Sequence, residues 1–352
     1  MNNLLLYGWN DNLNQLKQQS QYNGLSHGRI TVVHKTCYDV ISESGLFQCE
    51  LTGTMMYGKS NFELPCTGDW VFFQAFDKSK GIIVEMFPRE RTLYRKKSGT
   101  VADKQAIASY IDKAFIVQSL DDNFNVRRVE RFMFQIVEEN ISPVLVLNKA
   151  DLGYDEQKVN DVLKHLTDKM PVFITSIHRP ETIDVLKESI STGETVVFVG
   201  SSGVGKSSLV NALCDKAVLL TSEISGFNGK GRHTSTRREM VLMNDSGVLI
   251  DTPGVREFGI AIDDPDALAE MLEISHYTGL CKFVDCSHTN EPGCAVIQAV
   301  NDGLLERKVY ESYMKLRREA WHFTTSEHEK RKRDKFFSKL VNEVKKQKEN
   351  RY

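Results

Sequence analysis

The chain has 352 residues, 41% hydrophobic and 26% charged, with a formal net charge of −2. That length supports two or three domains with their own cores, and the near-neutral balance excludes a global pull on nucleic acid, so any such binding rests on local basic patches. No apolar run is long enough to span a bilayer, the short Leu4–Tyr7 run lacks the basic flank of a signal peptide, and seven cysteines without such a signal fit reduced thiols in a cytoplasm.

Taken in chain order, residues 30 to 87 predict five short strands, Ile30–His34, Cys37–Ser42, Leu46–Thr52, Trp70–Phe76 and Ile82–Phe87. Turn signals at Ser44-Gly45, Gly68-Asp69 and Lys80-Gly81 separate them. Five strands at this spacing predict a small closed barrel of the OB type over residues 1–90. Its aromatics Trp70, Phe72 and Phe73 suit either base stacking or a core. The linker residues Arg89, Arg91, Arg95, Lys96 and Lys97 suit either a solvated surface or contact with phosphates.

From about residue 110 strands and helices alternate, predicting an α/β domain over residues 91–272 with a parallel sheet covered on both faces. The expected strands are Ala114–Leu120, Pro143–Leu147 and Val172–Thr175, and the expected helices are Val126–Asn140, Asp155–Lys169 and Glu181–Ile190. Directly after the second strand, Asn148-Lys149-Ala150-Asp151 fits N-K-x-D. A carboxylate at Asp151 accepts two hydrogen bonds from the N1–H and exocyclic amine of guanine, a donor pair that adenine lacks. Ser176, ending the third strand, falls where a second base-contacting loop belongs.

The apolar strand Thr195–Val199 then runs into Gly200, Ser201, Ser202, Gly203, Val204, Gly205, Lys206, Ser207 and Ser208, which fits G-x-x-x-x-G-K-S and opens a helix. Glycines bring backbone N–H groups close to phosphate oxygens, and the helix directs its positive end at the same anion. Lys206 is expected to neutralise the β- and γ-phosphates and Ser207 to ligate Mg²⁺. The glycine-flanked stretch Gly229–Thr236 is expected to act as a switch loop. Within it Thr234, preferred over Thr236, is expected to complete the Mg²⁺ shell. Strand Gly247–Ile250 ends in Asp251-Thr252-Pro253-Gly254, a D-x-x-G element in which Asp251 holds Mg²⁺ through water and Gly254 senses the γ-phosphate. Ordinary GTPases place N-K-x-D after D-x-x-G. Here it precedes the phosphate loop, so the order is circularly permuted, and a segment following D-x-x-G feels nucleotide state directly.

Residues 273–352 predict a zinc-binding helical domain. Cys281, Cys286, His288 and Cys294 give C-x₄-C-x-H-x₅-C, a donor set that suits one closed, structural tetrahedral Zn²⁺ per chain. Helices are expected over Ala295–Leu305 and Tyr310–Trp321. The basic tail Lys330–Arg351 suits either a solvated helix or an arm for RNA phosphates.

Barrel, permuted motif order and finger together resemble the ribosome small-subunit-dependent GTPase A family, over nearly the whole chain from Thr67-Gly68-Asp69 to the finger. The resemblance is most specific in Gly200–Ser208, Gly231-Arg232-His233-Thr234, Asp251–Gly254 and the four cysteine and histidine ligands. It implies GTP hydrolysis to GDP and phosphate on the 30S subunit, docking through 16S rRNA, a role in late subunit maturation, and a cytoplasmic monomer with no membrane partner. Three departures qualify it. The switch carries Thr234-Ser235-Thr236 instead of a threonine run. Gly203 replaces the asparagine of potassium-dependent GTPases, so no potassium requirement is expected. Val255 replaces the water-orienting glutamine of Ras-like enzymes, leaving His233, with Lys206, as the expected catalytic residue. The competing reading is a nucleotide-dependent RNA-binding module whose hydrolysis is incidental; an ATP-using kinase or transporter subunit is disfavoured by Asp151.

Overall fold

The computed structural model describes residues 3–56, 62–96, 104–121, 124–154, 169–201, 203–214, 239–243, 247–250, 274–284 and 286–307, together with residues 156, 157, 159, 167, 269, 309–311, 313, 314 and 317. Residues 1–95 and 105–259 form one compact unit; residues 96–104 and 260–352 form a second.

The first unit opens with two short elements that the strand reading did not anticipate, a 3-10 turn at Leu4–Tyr7 and a helix at Asp11–Gln19. The helix starts where Asn10 accepts a hydrogen bond from the Leu13 N–H, satisfying one of the amides a helix start leaves without a partner. Strands β1 (Ser26–Val33), β2 (Tyr38–Ser42), β3 (Gly45–Leu51), β4 (Trp70–Ala75) and β5 (Lys80–Met86) close into a barrel in the order β1-β2-β3-β5-β4. Every strand of the barrel pairs on both edges, and the pairing of β1 with β4 closes it. Strand β1 begins four residues earlier than its apolar run, so that Ser26–Arg29 pairs with β4, and it bends at a bulge between Ile30 and Val32 while pairing with β2.

Ile30, Val40, Phe47, Cys49, Val71, Phe73 and Ile83 fill the barrel. On the alternate face of β4, Trp70 and Phe72 pack with Leu4, Leu13, Phe87 and Tyr110. Trp70, Phe72 and Phe73 are 0%, 2% and 0% exposed, so all three are core and none offers a face for base stacking.

The basic linker also turns inward in part. Arg89 donates through Nε and Nη2 to the buried Asp69 carboxylate, which takes a further bond from Ser109 Oγ at 2.6 Å. Arg91 pairs with Asp112 at 3.2 Å. Arg89 fastens the linker to the barrel, and Arg91 fastens it to the chain entering the sheet that follows. A third, Arg29, is fully buried and donates to the carbonyls of Gly68, Tyr7, Ser109 and Tyr110 and to Thr195 Oγ1 at 2.8 Å.

After a two-stranded ribbon, β6 (Leu93–Lys96) with β7 (Lys104–Ala108), a six-stranded sheet forms in the order β10-β9-β8-β11-β13-β12. Its members are β8 (Lys113–Ser119), β9 (Ser142–Asn148), β10 (Val172–Ile174), β11 (Thr195–Val199), β12 (Met240–Leu242) and β13 (Val248–Ile250). All pairings are parallel except β12 with β13. Helix Val126–Glu138 packs on β8 and β9. Phe115, Val117, Val146, Val196 and Phe198 pack on the opposite face with Leu186 of helix Pro180–Glu188 and with Leu209 and Leu213 of helix Lys206–Leu213. The near-continuous apolar strands are those of a sheet buried on both faces. The expected helix Asp155–Lys169 lies largely outside the described residues.

In the second unit, short helices Ser275–Thr278 and Ala295–Asn301 bracket the cysteine and histidine ligands. The latter ends four residues before the expected Leu305, because the chain turns at Asp302 and adopts a left-handed φ of 73° at Gly303. The tail Lys330–Arg351 lies outside the described residues, and Tyr310–Trp321 lies partly outside them. No described helix is long and apolar enough to cross a membrane.

Candidate active site and metal centre

The loop from Gly200 to Gly205 leaves the carboxyl end of β11 and enters the helix at Lys206. Two glycines are dictated by close approach. A Cβ at Gly200 would lie 2.3 Å from the Val117 carbonyl oxygen of the neighbouring strand, and one at Gly205 would lie 2.3 Å from Asn148 Nδ2. Both also have left-handed φ, 147° and 91°, which other residues adopt at a cost. Gly205 caps the helix with no side-chain acceptor for the first amides. An uncapped helix start at the end of a parallel strand is a ready anion site. Lys206 folds over the loop, its Nζ donating to the carbonyls of Gly200 at 2.8 Å and Ser201 at 2.6 Å. Ser207 and Ser208 are half-buried in the first helical turn.

Asn148 ends β9 and reaches across to this loop. Its Nδ2 donates to the Val204 carbonyl at 2.9 Å, and its Oδ1 accepts from Thr175 Oγ1 at 3.2 Å. One buried amide therefore fixes the distance between the N-K-x-D turn, the loop after β10 and the phosphate loop. Lys149 holds a left-handed φ of 63°, which turns the chain sharply and sends its side chain towards Asp121, with Nζ 3.4 Å from Oδ2. Ala150 is buried, its N–H bonded to the Thr175 carbonyl. Asp151 is exposed. Ser176 Oγ donates to its Oδ1 at 2.5 Å, and that bond holds the carboxyl below its ordinary range. Asp151 is thus ionised at neutral pH, a fixed double acceptor 25 residues from the serine that orients it.

The structure thus gathers Asn148, Lys149, Ala150, Asp151, Ser176, Gly200, Ser201, Gly203, Val204, Gly205, Lys206, Ser207 and Ser208 around the carboxyl ends of β8, β9 and β11, where ligands of such sheets sit. Ser202, His233, Thr234, Asp251 and Gly254 lie outside the described residues. Two contributors escaped the sequence reading. Thr182 accepts from the Ser176 N–H at 3.1 Å and donates to the Arg179 carbonyl, steadying the base loop. Asp121, held by Ser119 Oγ, pairs with Lys149. Thr182 sits in the first turn of the helix after the base loop and acts locally on it, whereas Asp121 follows β8 and meets Lys149 only because β8 and β9 lie side by side.

The second unit carries a cysteine and histidine cluster that could hold a metal ion. The ligand atoms of Cys281, Cys286, His288 and Cys294 all lie within 4.8 Å of one another. His288 Nδ1 is 3.5 Å from the sulfurs of Cys281 and Cys294, which are 3.9 Å apart. A tetrahedral site with metal–sulfur bonds of about 2.3 Å and a metal–nitrogen bond of about 2.05 Å has edges of about 3.8 and 3.5 Å. The three edges among Cys281, His288 and Cys294 match a Zn²⁺-sized ion, and Cys286 supplies the fourth donor within 4.8 Å of each. Cys286, His288 and Cys294 are buried, and burial lowers the His288 pKa, favouring the neutral imidazole that ligates. The turn is held from its amide side by Glu291, whose carboxylate accepts from the N–H groups of Ser287, Thr289 and Asn290.

Comparison with known proteins agrees with this architecture. The family model described as RsgA GTPase matches residues 86–261. The Bacteroides thetaiotaomicron protein named small ribosomal subunit biogenesis GTPase RsgA 1 is 70% identical over 349 residues, covering 99% of this chain and 98% of its own. A Methanosarcina acetivorans relative named small ribosomal subunit biogenesis GTPase RsgA is 38% identical over 319 residues, covering 90% and 85%. Among solved structures, YjeQ from Thermotoga maritima superposes with a TM-score of 0.60 at 26% identity, covering 84% of this chain and 98% of that one. YloQ, a circularly permuted GTPase, superposes with a TM-score of 0.59 at 24% identity, covering 87% and 99%, and shares the fold. The N-terminal barrel and the permuted nucleotide-binding sheet are those of this group, and the chain belongs to the RsgA GTPase family.

Proposed function

We propose that this protein is a small-subunit biogenesis GTPase, which binds GTP at the phosphate loop and N-K-x-D turn and hydrolyses it to GDP and phosphate when docked on the 30S subunit. The observation that carries the reading is the Asn148 amide, which couples a guanine-type acceptor at Asp151 to a phosphate-type loop through the Val204 carbonyl at 2.9 Å. A nucleotide spanning both would be held at base and phosphates by one rigid frame, as positioning catalysis of phosphoryl transfer requires. Lys206 would leave the carbonyls of Gly200 and Ser201 for the β- and γ-phosphates. Asp251 and Gly254 would complete the phosphate end. Mg²⁺, held by Ser207 and Thr234, would neutralise charge developing on the phosphates. His233 would orient the attacking water in place of the absent glutamine.

In this reading the divisions are residues 1–90, 91–272 and 273–352. Partner contact runs through 16S rRNA, one structural zinc stabilises the C-terminal division, and the protein works as a cytoplasmic monomer late in subunit maturation. Because Trp70, Phe72 and Phe73 are buried, barrel contact with rRNA would use its outer face and loops. The test is co-sedimentation with 30S subunits in GTP-analogue, GDP and nucleotide-free states. Strongest retention is expected with the analogue; equal retention in all three states would reduce the protein to a nucleotide-indifferent RNA-binding module.

A further inference from the structure

The two ligands Cys286 and His288 are linked by two peptide bonds, and one side chain captures both carbonyls. Arg317 Nη1 donates to the Ser287 carbonyl at 2.8 Å and Nη2 to the Cys286 carbonyl at 3.1 Å. The next carbonyl, that of His288, accepts from Tyr310 Oη at 2.8 Å. Three successive carbonyls of the ligand turn are thus held by side chains that follow it by 22 to 31 positions. The turn needs such support. His288 adopts a left-handed φ of 58°, a conformation that a non-glycine residue keeps only when its surroundings enforce it. Glu291 satisfies the amide side of the turn, and Arg317 with Tyr310 satisfies the carbonyl side.

Charge points the same way. Zinc with three thiolates and one neutral imidazole carries one net negative charge. Removing that charge from water is costly unless a cation lies beside it. Arg317 places its guanidinium on the carbonyls of Cys286 and Ser287, within the ligand turn itself, and its planar fork matches these two adjacent carbonyls in a way that a lysine ammonium does not.

We propose that Arg317 is a positioning residue of the metal centre. It fixes the Cys286–His288 turn in ligating geometry and balances the charge of the loaded site. Tyr310 assists at His288. The proposal rests on the reading of the centre as a zinc site.

The test uses the full-length protein and zinc alone, with affinity and release rate measured by competition against a chromophoric chelator. Guanine nucleotide binding serves as a check that the first unit is intact. Arg317→Met is expected to weaken zinc binding by about 10- to 100-fold and to speed release, the range seen when a group supporting a metal ligand is removed. Arg317→Lys, keeping charge without the fork, is expected to fall between Arg317→Met and the parent. Tyr310→Phe is expected to lose about threefold. A tight 1:1 parent with Arg317→Met within twofold of it would overturn the proposal and leave the zinc reading standing. A parent that takes up no zinc would overturn both. If Arg317→Met fails to fold, Arg317→Lys and Tyr310→Phe decide, and zinc binding by both within twofold of the parent overturns the proposal.

Discussion

Replacing Arg29 by methionine tests how the barrel is fastened to the nucleotide-binding sheet. The guanidinium is fully buried and has no direct carboxylate partner among the described residues; burial lowers its pKa to about 10, so it stays charged at neutral pH. Its bonds go to the carbonyls of Gly68, Tyr7, Ser109 and Tyr110 and to Thr195 Oγ1, at the first residue of the strand that delivers the phosphate loop. Methionine fills a similar volume but donates nothing, leaving these buried acceptors without the partner they have now. A buried group left unsatisfied costs about 1–3 kcal/mol, and a bond to a charged donor contributes about 1.5–3 kcal/mol. Against this stands relief from burying a charge, which offsets a good part. The expected net loss is about 3 kcal/mol, or roughly 6–12 °C in melting temperature for a unit of this size. Urea unfolding followed by tryptophan fluorescence reads it directly, since Trp70 lies 5.6 Å from the Arg29 guanidinium. Arg29→Met within about 0.5 kcal/mol of the parent would refute the claim that this charge holds the joint. Thr195→Val, removing a single acceptor of the charged donor, should cost about 1.5 kcal/mol, the low end for such a bond.

Asp151→Asn turns the exposed acceptor into an amide. Because Asp151 meets solvent and keeps the Ser176 contact through its remaining oxygen, the loss should appear in nucleotide choice and not in stability: GTP affinity falls about 10- to 100-fold while xanthosine triphosphate gains, read by competition against a fluorescent nucleotide. Gly205→Ala places a methyl 2.3 Å from Asn148 Nδ2 at a left-handed φ, so GTP affinity should drop at least about 10-fold, checked by the same assay. His27 is buried against Trp9, and burial lowers its pKa to about 4. The unfolded chain therefore binds the proton more readily. Stability should be full above about pH 6.5, fall on the order of 2 kcal/mol as pH drops towards 4, and lose this slope in His27→Phe, measured by denaturation across pH.

The sequence announced the nucleotide site because its parts are local. Each of Gly200–Ser208 and Asn148–Asp151 is a contiguous turn whose backbone demands particular residues, and each follows an apolar strand. The barrel strands were legible for the same reason, through alternation and turn residues. Arg29 was not, since its five acceptors come from segments up to 166 positions away from it. Nor was the inward turn of Arg89 and Arg91, because a basic run reads as surface until Asp69 and Asp112 are brought opposite. The ambiguity of Trp70, Phe72 and Phe73 arose because β4 is covered on both faces, the second by the unanticipated N-terminal turn and helix. The metal ligands were plain in their spacing, whereas Arg317 and Tyr310 gave no signal in the sequence and are found only by asking where the carbonyls of the ligand turn go.

The central claim is that the nucleotide site is incomplete until the small subunit completes it. Val255 orients no water, and Ras-like enzymes that do carry the glutamine still gain about 10⁵-fold when a partner supplies the missing group. Single-turnover GTP hydrolysis with and without saturating 30S subunits, in the parent and in His233→Ala, measures this directly. The parent should be slow alone and accelerate at least about 10²-fold on subunits, the effect of one well-placed catalytic group, while His233→Ala binds GTP and subunits but loses most of the gain. A parent that hydrolyses GTP equally fast with and without subunits would contradict the account.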